Sequence, residues 1–182
     1  MLVKIKAKCH ISNQPLLLPR FGLKNGAVIC KLKFTDSCRY NLDGGDQLDW
    51  NKLAAGASWG FFPLIKQSQA HENSSRWGWR FNPIIYKIEV TPYFYSDGIR
   101  NYAETLGINP IELDLNRDYV LSIVPGEGNV KYSVADVSSS SPPFFIESFE
   151  QNVPSIKGWL LPAYFGGTKP APHEIEYELT YL

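Results

Sequence analysis

The sequence predicts an all-β protein, built as a two-sheet antiparallel β-sandwich of the jelly-roll type. Short segments alternate apolar and polar residues with period two, which is the pattern of strands that bury one face. The 13 prolines and 14 glycines among 182 residues place turn signals at close intervals between these segments. Sandwiches of this length are commonly one unit, so we expect a single domain over residues 1–182.

The predicted elements before residue 73 are short and widely spaced. Residues 3–9 and 27–34 are predicted strands, because lysines alternate there with apolar residues. Residues 36–53 are polar and rich in turn formers, and a helical turn could form at 51–55. An apolar patch at 58–65 and a polar loop at 66–75 come next.

The strongest alternation lies in two predicted strands on either side of Asn82-Pro83, a turn signal. In the first strand one parity is aromatic and should face the core, which applies to Trp77, Trp79 and Phe81. The opposite parity should face away from the core, which applies to Arg76, Gly78 and Arg80. The second strand, at 84–95, alternates an apolar set with a polar and aromatic set.

Hairpin signals divide the rest of the chain into further predicted strands. Residues 90–95 and 99–103 flank Ser96-Asp97-Gly98, and a helical turn could form at 101–106. Two more strands, 119–124 and 130–134, flank a turn at 125–128. The last predicted strands are 143–149, 159–165 and 174–182.

Charge, cysteine content and the N-terminal residues indicate which partners, disulfides and location to expect. The 18 basic and 18 acidic residues cancel, so no overall field favours nucleic acid or a membrane surface. The three cysteines, Cys9, Cys30 and Cys38, are odd in number and unclustered, which favours free thiols over a disulfide framework. The N-terminal residues lack the apolar core of a signal peptide, so we expect a cytoplasmic or virion-associated protein.

One loop has residues that suit calcium. Asp43, Asp46 and Asp49 lie in a glycine-containing turn, and Ca²⁺ takes several oxygen ligands from such loops. The spacing is not that of an EF-hand, and Asp and Gly are also ordinary turn formers. We therefore expect a solvated loop and no cofactor, with calcium as the alternative.

Catalytic patterns are weak. Some sandwich glycosidases carry Glu-x-Asp-x-x-Glu on one strand, and retaining hydrolysis needs two carboxyl groups about 5–5.5 Å apart. Here the run from Glu112 ends in Arg117, which cannot serve as the acid or base. A lyase could pair His71 with a tyrosine, but no spacing selects the partner, so no enzymatic role is predicted.

The face opposite the aromatic core is the best candidate site. Arg76, Arg80, Glu89, Tyr93 and Tyr95 should share one exposed surface, where rings stack on sugars and charged groups bind hydroxyls. The alternative is that Arg80 and Glu89 form only a cross-strand ion pair inside the protein.

Several blocks of sequence carry a resemblance to a known family. They are residues 50–53 (Trp-Asn-Lys-Leu), 73–80 (Asn-Ser-Ser-Arg-Trp-Gly-Trp-Arg), 87–90 (Lys-Ile-Glu-Val), 93–98 (Tyr-Phe-Tyr-Ser-Asp-Gly) and 163–175 (Ala-Tyr-Phe-Gly-Gly-Thr-Lys-Pro-Ala-Pro-His-Glu-Ile). Over residues 41–182 the chain resembles concanavalin A-like lectin/glucanase sandwiches, and within them small uncharacterised single-domain proteins of Bacteroidales bacteria and their phages. The resemblance implies a fold and a sugar-binding role rather than an activity.

Three functions follow from these observations. The first is a non-catalytic binding module for a glycan, or for a protein partner, acting through the polar sheet face. The second is a phage component used in virion structure or host adhesion. The third, which the sequence supports least, is a polysaccharide lyase or glycoside hydrolase.

Overall fold

The chain forms a sandwich of two antiparallel β-sheets, which confirms the predicted all-β, two-sheet architecture, whereas the jelly-roll type stays a prediction. The computed structural model describes residues 1–13, 26–59, 70–139, 142–154 and 159–182. Helix is a minor component of these residues, since α1 is a single turn at Ala103–Leu106 and two short 3₁₀ helices lie at Asp36–Cys38 and Gly44–Leu48.

The described residues form twelve strands. In chain order they are β1 (Leu2–Ile5), β2 (Val28–Phe34), β3 (Asn51–Ser58), β4 (Ser74–Asn82), β5 (Lys87–Ser96), β6 (Ile99–Asn101), β7 (Ile111–Leu113), β8 (Tyr119–Pro125), β9 (Asn129–Asp136), β10 (Phe145–Glu150), β11 (Trp159–Leu160) and β12 (Ile175–Tyr181). Within the described residues, the first sheet has the order β1-β12-β2-β8-β9-β10. The second has the order β11-β3-β4-β5-β6, and β7 also pairs with β5.

The core lies between the inner faces of the two sheets. Trp77 and Trp79 on β4, and Ile88 and Val90 on β5, are all 0% exposed, as the alternation predicts. Their neighbours across the sandwich belong to the first sheet. Trp77 meets Tyr132 edge to face at 5.3 Å between ring centroids, and such aromatic contacts add to the energy of burial.

Two sequence predictions in this region are wrong. Residues 51–55 are not a helical turn, because Asn51–Ser58 pairs with β4 and burial on both faces overrides local propensity. The second predicted strand does not start at residue 84. Residues 83–86 form a turn after Asn82, in which Tyr86 is left-handed at φ 60° and mostly exposed. Most of the predicted apolar patch at 58–65 lies outside the described residues.

Cys9, Cys30 and Cys38 are free thiols, as predicted, and Cys30 and Cys38 are buried. None of the helices in the described ranges has the length and apolar character needed to cross a membrane.

Trp79 provides a test of the core. We expect Trp79→Ala to lower the free energy of unfolding by about 3–5 kcal/mol, because it leaves a large cavity between the sheets. Ile84→Ala is the matched control. Ile84 is 92% exposed at the β4–β5 turn, so its loss should change stability by less than about 0.5 kcal/mol. Urea denaturation of both variants measures the difference, and equal losses would contradict this assignment of the core.

Candidate functional site

The outer face of the second sheet brings together the residues that the sequence singles out. Arg76 lies opposite Tyr93 and Arg80 lies opposite Glu89, in the antiparallel register of β4 with β5. The two pairs are separated by a row in which Gly78 faces Thr91. The face therefore has two parts, and the structure gives them different roles.

The first part, which we call the Arg80 network, consists of Arg80, Glu89, Glu104, Trp50 and Asn82, which contact one another. Arg80 Nε donates to Glu89 Oε2 at 2.6 Å, and Arg80 Nη1 donates to Glu104 Oε1 at 2.9 Å. The guanidinium also lies over the Trp50 ring at 4.0 Å, and Trp50 Nε1 donates to Glu104 Oε2. Asn82 donates to the remaining Glu89 oxygen, Oε1, at 2.8 Å.

These bonds satisfy the charged groups of Arg80 and Glu89 within the protein and do not leave them available to a ligand. Their side chains are only 11% and 10% exposed, because Trp50 and the α1 residue Glu104 lie over them. Of the two interpretations left open by the sequence, the geometry favours the internal ion pair at these positions. A buried ion pair of this kind fixes the positions of the side chains around it. Removing one partner leaves the other charge buried and unpaired.

The second part is the cationic patch, which we define as Lys52, Arg76 and Arg100 with His71 and the rings around them. Lys52 belongs to β3, Arg76 to β4 and Arg100 to β6, so three strands contribute. The surrounding rings are those of Tyr93, Tyr95, Tyr102 and Tyr164.

Two glycines make room for this arrangement. A Cβ at Gly56 would lie 2.8 Å from Arg76 Cγ, so the stem of Arg76 occupies the space that a side chain would need. A Cβ at Gly78 would lie 3.3 Å from Tyr93 Cβ and 3.4 Å from Cδ2, so the Tyr93 ring leans over Gly78. Lys52 is the cross-strand neighbour of Gly78, and its Nζ lies 4.9 Å from the Tyr93 ring centroid.

The cations of the patch are close enough to affect one another. Burial, and then the charges of Arg76 and Arg100, lower the pKa of Lys52 to about 8. Burial lowers the pKa of Arg76 to about 10. Burial and the three cations together also hold the pKa of His71 below its usual value. The patch therefore has a high density of positive charge.

The aromatic rings form stacked pairs beside the cations. His71 stacks on Tyr95 at 5.0 Å with an interplanar angle of 20°, and Tyr93 stacks on Tyr102 at 6.0 Å. Arg100 lies over Tyr102 at 5.0 Å. Burial, followed by the hydrogen bond with Tyr95, raises the pKa of the Tyr93 phenol, so this hydroxyl is protonated and can act as a donor.

The acidic loop and the run from Glu112 lie elsewhere. Asp46 accepts from Thr168 Oγ1 at 2.6 Å and pairs with Lys169. No group of three or more His, Cys, Asp or Glu side chains in the described part of the chain is placed to hold a metal ion. The expected solvated loop, with calcium binding by Asp43, Asp46 and Asp49 as its alternative, stays a prediction. Arg117 forms ion pairs with Asp114 and Asp136.

Sequence reasoning missed Lys52, Arg100, Tyr102 and Tyr164 as site residues. Lys52 lay in a stretch that local propensity assigned to a helical turn, and only its pairing with Gly78 places it on the face. Tyr164 arrives from a distant segment, whose backbone exchanges two hydrogen bonds with Lys52. Arg100 offered a signal, since it alternates with Ile99 and Asn101 across the hairpin from Tyr95.

Comparison with models of known protein families and with curated protein sequences finds no match. Among solved structures, the chain is similar to xylan β-1,4-xylosidase from Bacillus halodurans, at 7% identity and a TM-score of 0.46 over 84% of this chain and 26% of that one. It is similar to a functionally unknown protein from Saccharomyces cerevisiae, at 9% identity and 0.43 over 100% and 87%. It is also similar to tailspike protein 2 of Escherichia coli O157:H7 bacteriophage CAB120, at 11% and 0.47 over 100% and 24%. The chain thus spans about a quarter of the xylosidase and of the tailspike.

The Arg80 network predicts a large loss of stability in Arg80→Ala. Glu89 would be left buried without its cation, at a cost of about 3–5 kcal/mol. Lys31→Ala is the control, because the Lys31–Asp118 pair is 42% and 38% exposed and should contribute about 0–1 kcal/mol. Thermal and urea unfolding compare the two. A loss below about 1 kcal/mol in Arg80→Ala would return Arg80 to the set of ligand-binding candidates.

The pKa of Lys52 predicts a pH-dependent stability difference. The folded protein holds the Lys52 proton less tightly than the unfolded chain, so charged Lys52 opposes folding fully below pH 8. This penalty fades as the pH rises from about 8 to about 10.4, the ordinary lysine value. The substitution Lys52→Met should therefore raise the free energy of unfolding more at pH 7 than at pH 10. Melting curves of both proteins across this range test it, and a pH-independent difference would contradict it.

Proposed function

We propose that this protein is a non-catalytic carbohydrate-binding module whose ligand lies on the cationic patch. The observation that carries the proposal is the gathering of tyrosine rings and unpaired cations on one sheet face. Tyr95, Tyr102 and Tyr164 are all partly exposed there, and Tyr102 and Tyr164 lie beside Arg100 and Lys52, respectively. The candidate ligand-binding residues are thus Arg76 and Tyr95 of the sequence prediction, joined by Lys52 and Arg100. Tyr93, which the sequence placed on the exposed surface, is only 3% exposed and packs with Trp50 and Ala103.

The chemistry of the patch suits a sugar. A pyranose ring has an apolar C–H face that packs against an aromatic ring, and hydroxyl groups at its edge that accept from charged donors. The Tyr95 ring supplies such a surface, and Arg76 on the neighbouring strand supplies donors beside it. Arg76 forms no ion pair with the described residues, and its buried Nε makes no hydrogen bond to them, so the charge of this guanidinium is not neutralised there.

Binding accounts for this face better than hydrolysis does. The carboxylate that faces Arg80 has both oxygens occupied, since Glu89 accepts from Arg80 and from Asn82. Glu104 is held in the same way by Arg80 and Trp50. Hydrolysis by paired carboxyl groups needs an acid and a base or nucleophile on either side of the scissile bond. These two carboxylates are instead parts of the scaffold.

One observation favours a second candidate, a polysaccharide lyase. His71 stacks on Tyr95 close to Arg76, and its lowered pKa leaves a neutral imidazole that can accept a proton at neutral pH. In such a reaction a base removes the proton next to a sugar carboxylate. The electron pair forms a C=C bond, the glycosidic C–O bond breaks, and the leaving oxygen is protonated. Arg76 would hold the carboxylate.

A glycan array followed by calorimetric titration tests the proposal. Tyr95→Ala should weaken binding several-fold, and Arg76→Ala by about tenfold to a hundredfold, because stacking and a charged hydrogen bond are lost. Lys131→Ala, an exposed lysine on β9 of the other sheet, is the control and should bind normally.

The outcomes separate the candidates. Equal binding by all variants would remove the cationic patch as the site, and a protein that binds no glycan would contradict the proposed function. Recovered polymer that is shortened and carries a new unsaturated end, with this activity lost in His71→Ala, would establish the lyase instead.

A further inference from the structure

The cations of the patch differ from the other lysines and arginines in the described ranges, most of which form ion pairs. Within the described residues, the lysines and arginines in ion pairs are Lys4, Lys31, Lys33, Arg39, Arg80, Lys87, Arg117 and Lys169. Those outside any ion pair are Lys6, Lys8, Lys52, Arg76, Arg100 and Lys131. Of the second group, only Lys52 and Arg76 are not exposed. Both belong to the patch.

Nearby carboxylates do not balance this charge. Glu89 and Glu104 are committed to Arg80, and Asp49 is the one carboxylate that acts on Lys52, more weakly than Arg76 and Arg100 do. Lys52 Nζ instead donates to the Trp50 carbonyl oxygen at 2.8 Å. The patch is therefore a site of net positive charge on a chain whose formal charges sum to zero overall.

This arrangement costs stability in the free protein. A half-buried cation without a carboxylate loses hydration that neutral neighbours replace only in part, and neighbouring like charges repel. Glycine is also required at residues 56 and 78, because a Cβ there would press against Arg76 and Tyr93. Methionine or glutamine at residues 52 and 76 would make a more stable sheet face, so the stability cost is explained if a bound anion offsets it.

We infer that the ligand of the patch is an acidic sugar, whose oxyanion lies between Arg76 and Lys52 while its ring packs against Tyr95. This inference rests on the proposed carbohydrate-binding function and specifies its ligand class. The oxyanion is a uronate carboxylate or a sulfate ester, because the planar guanidinium fork of arginine donates two parallel hydrogen bonds to either group. Arg100 lies across the β5–β6 pair from Tyr95 and adds charge at the same end.

Matched pairs of polymers that differ only in charge test the inference. Polygalacturonate is compared with its methyl ester, and dextran sulfate with dextran, by calorimetry at neutral pH and low salt. We expect the charged member of at least one pair to bind about tenfold or more tightly, and added salt to weaken it. The pair that responds shows whether the anion is a carboxylate or a sulfate.

Variants show whether the charge is recognised at this site. Arg76→Gln should lose about tenfold or more of the affinity for the charged polymer, and Lys52→Met should also lose affinity while keeping or gaining thermal stability. Lys131→Gln, the exposed control, should leave binding unchanged. The Lys52→Met variant keeps the test valid if Arg76→Gln folds poorly.

Other results would overturn the inference in distinguishable ways. Equal affinity for charged and neutral polymers, unaffected by Arg76→Gln, would reject the acidic ligand and leave the carbohydrate-binding function standing. Failure to bind any glycan would reject both. Equally tight binding of a single-stranded oligonucleotide, with the same dependence on Arg76, would show that the patch binds polyanions in general and would overturn the assignment of an acidic polysaccharide ligand.

Discussion

The pairing register of β4 with β5 is the constraint on which both the core and the candidate site depend. Trp79 opposite Val90 faces the core, and Arg80 opposite Glu89, one residue further along, faces outward. A shift of one residue that reversed the two faces of β4 would bury the arginines and expose the tryptophans. The register is held by the tight turn after Asn82 and by the large apolar area of Trp77 and Trp79, which has no other place to be buried.

The charged residues of the outer face fall into two groups, one paired within the protein and one without carboxylate partners among the described residues. At one end Arg80 is bonded to Glu89 and Glu104 and covered by Trp50, so its charge is balanced within the protein. At the other end Arg76 has tyrosines as its neighbours and no carboxylate partner in the described part of the chain. Because both arginines belong to one strand and one parity, the difference arises entirely from what neighbouring elements place beside them.

The positive charges of Lys52 and Arg76, which no carboxylate among the described residues balances, connect the stability of the fold with the proposed function. Lys52 and Arg76 hold their protons less tightly in the folded protein than they would in water, which means that the fold bears a cost for keeping them charged. Residues of this kind are common where a protein meets a ligand of opposite charge. The rigid setting provided by Gly56 and Gly78 reduces the ordering that binding would otherwise require.

The sequence by itself determined the fold class and the two faces of β4, because alternation with period two is a local property that any sheet must satisfy. It also determined that Arg76, Arg80, Glu89, Tyr93 and Tyr95 would share a surface. Only the tertiary structure decided which of them are available. Glu104 and Trp50 reach Arg80 from other elements, and Lys52 and Tyr164 reach the site of Arg76 from segments distant in sequence. Charge balance depends on such long-range neighbours, whereas the direction of a side chain along a strand does not.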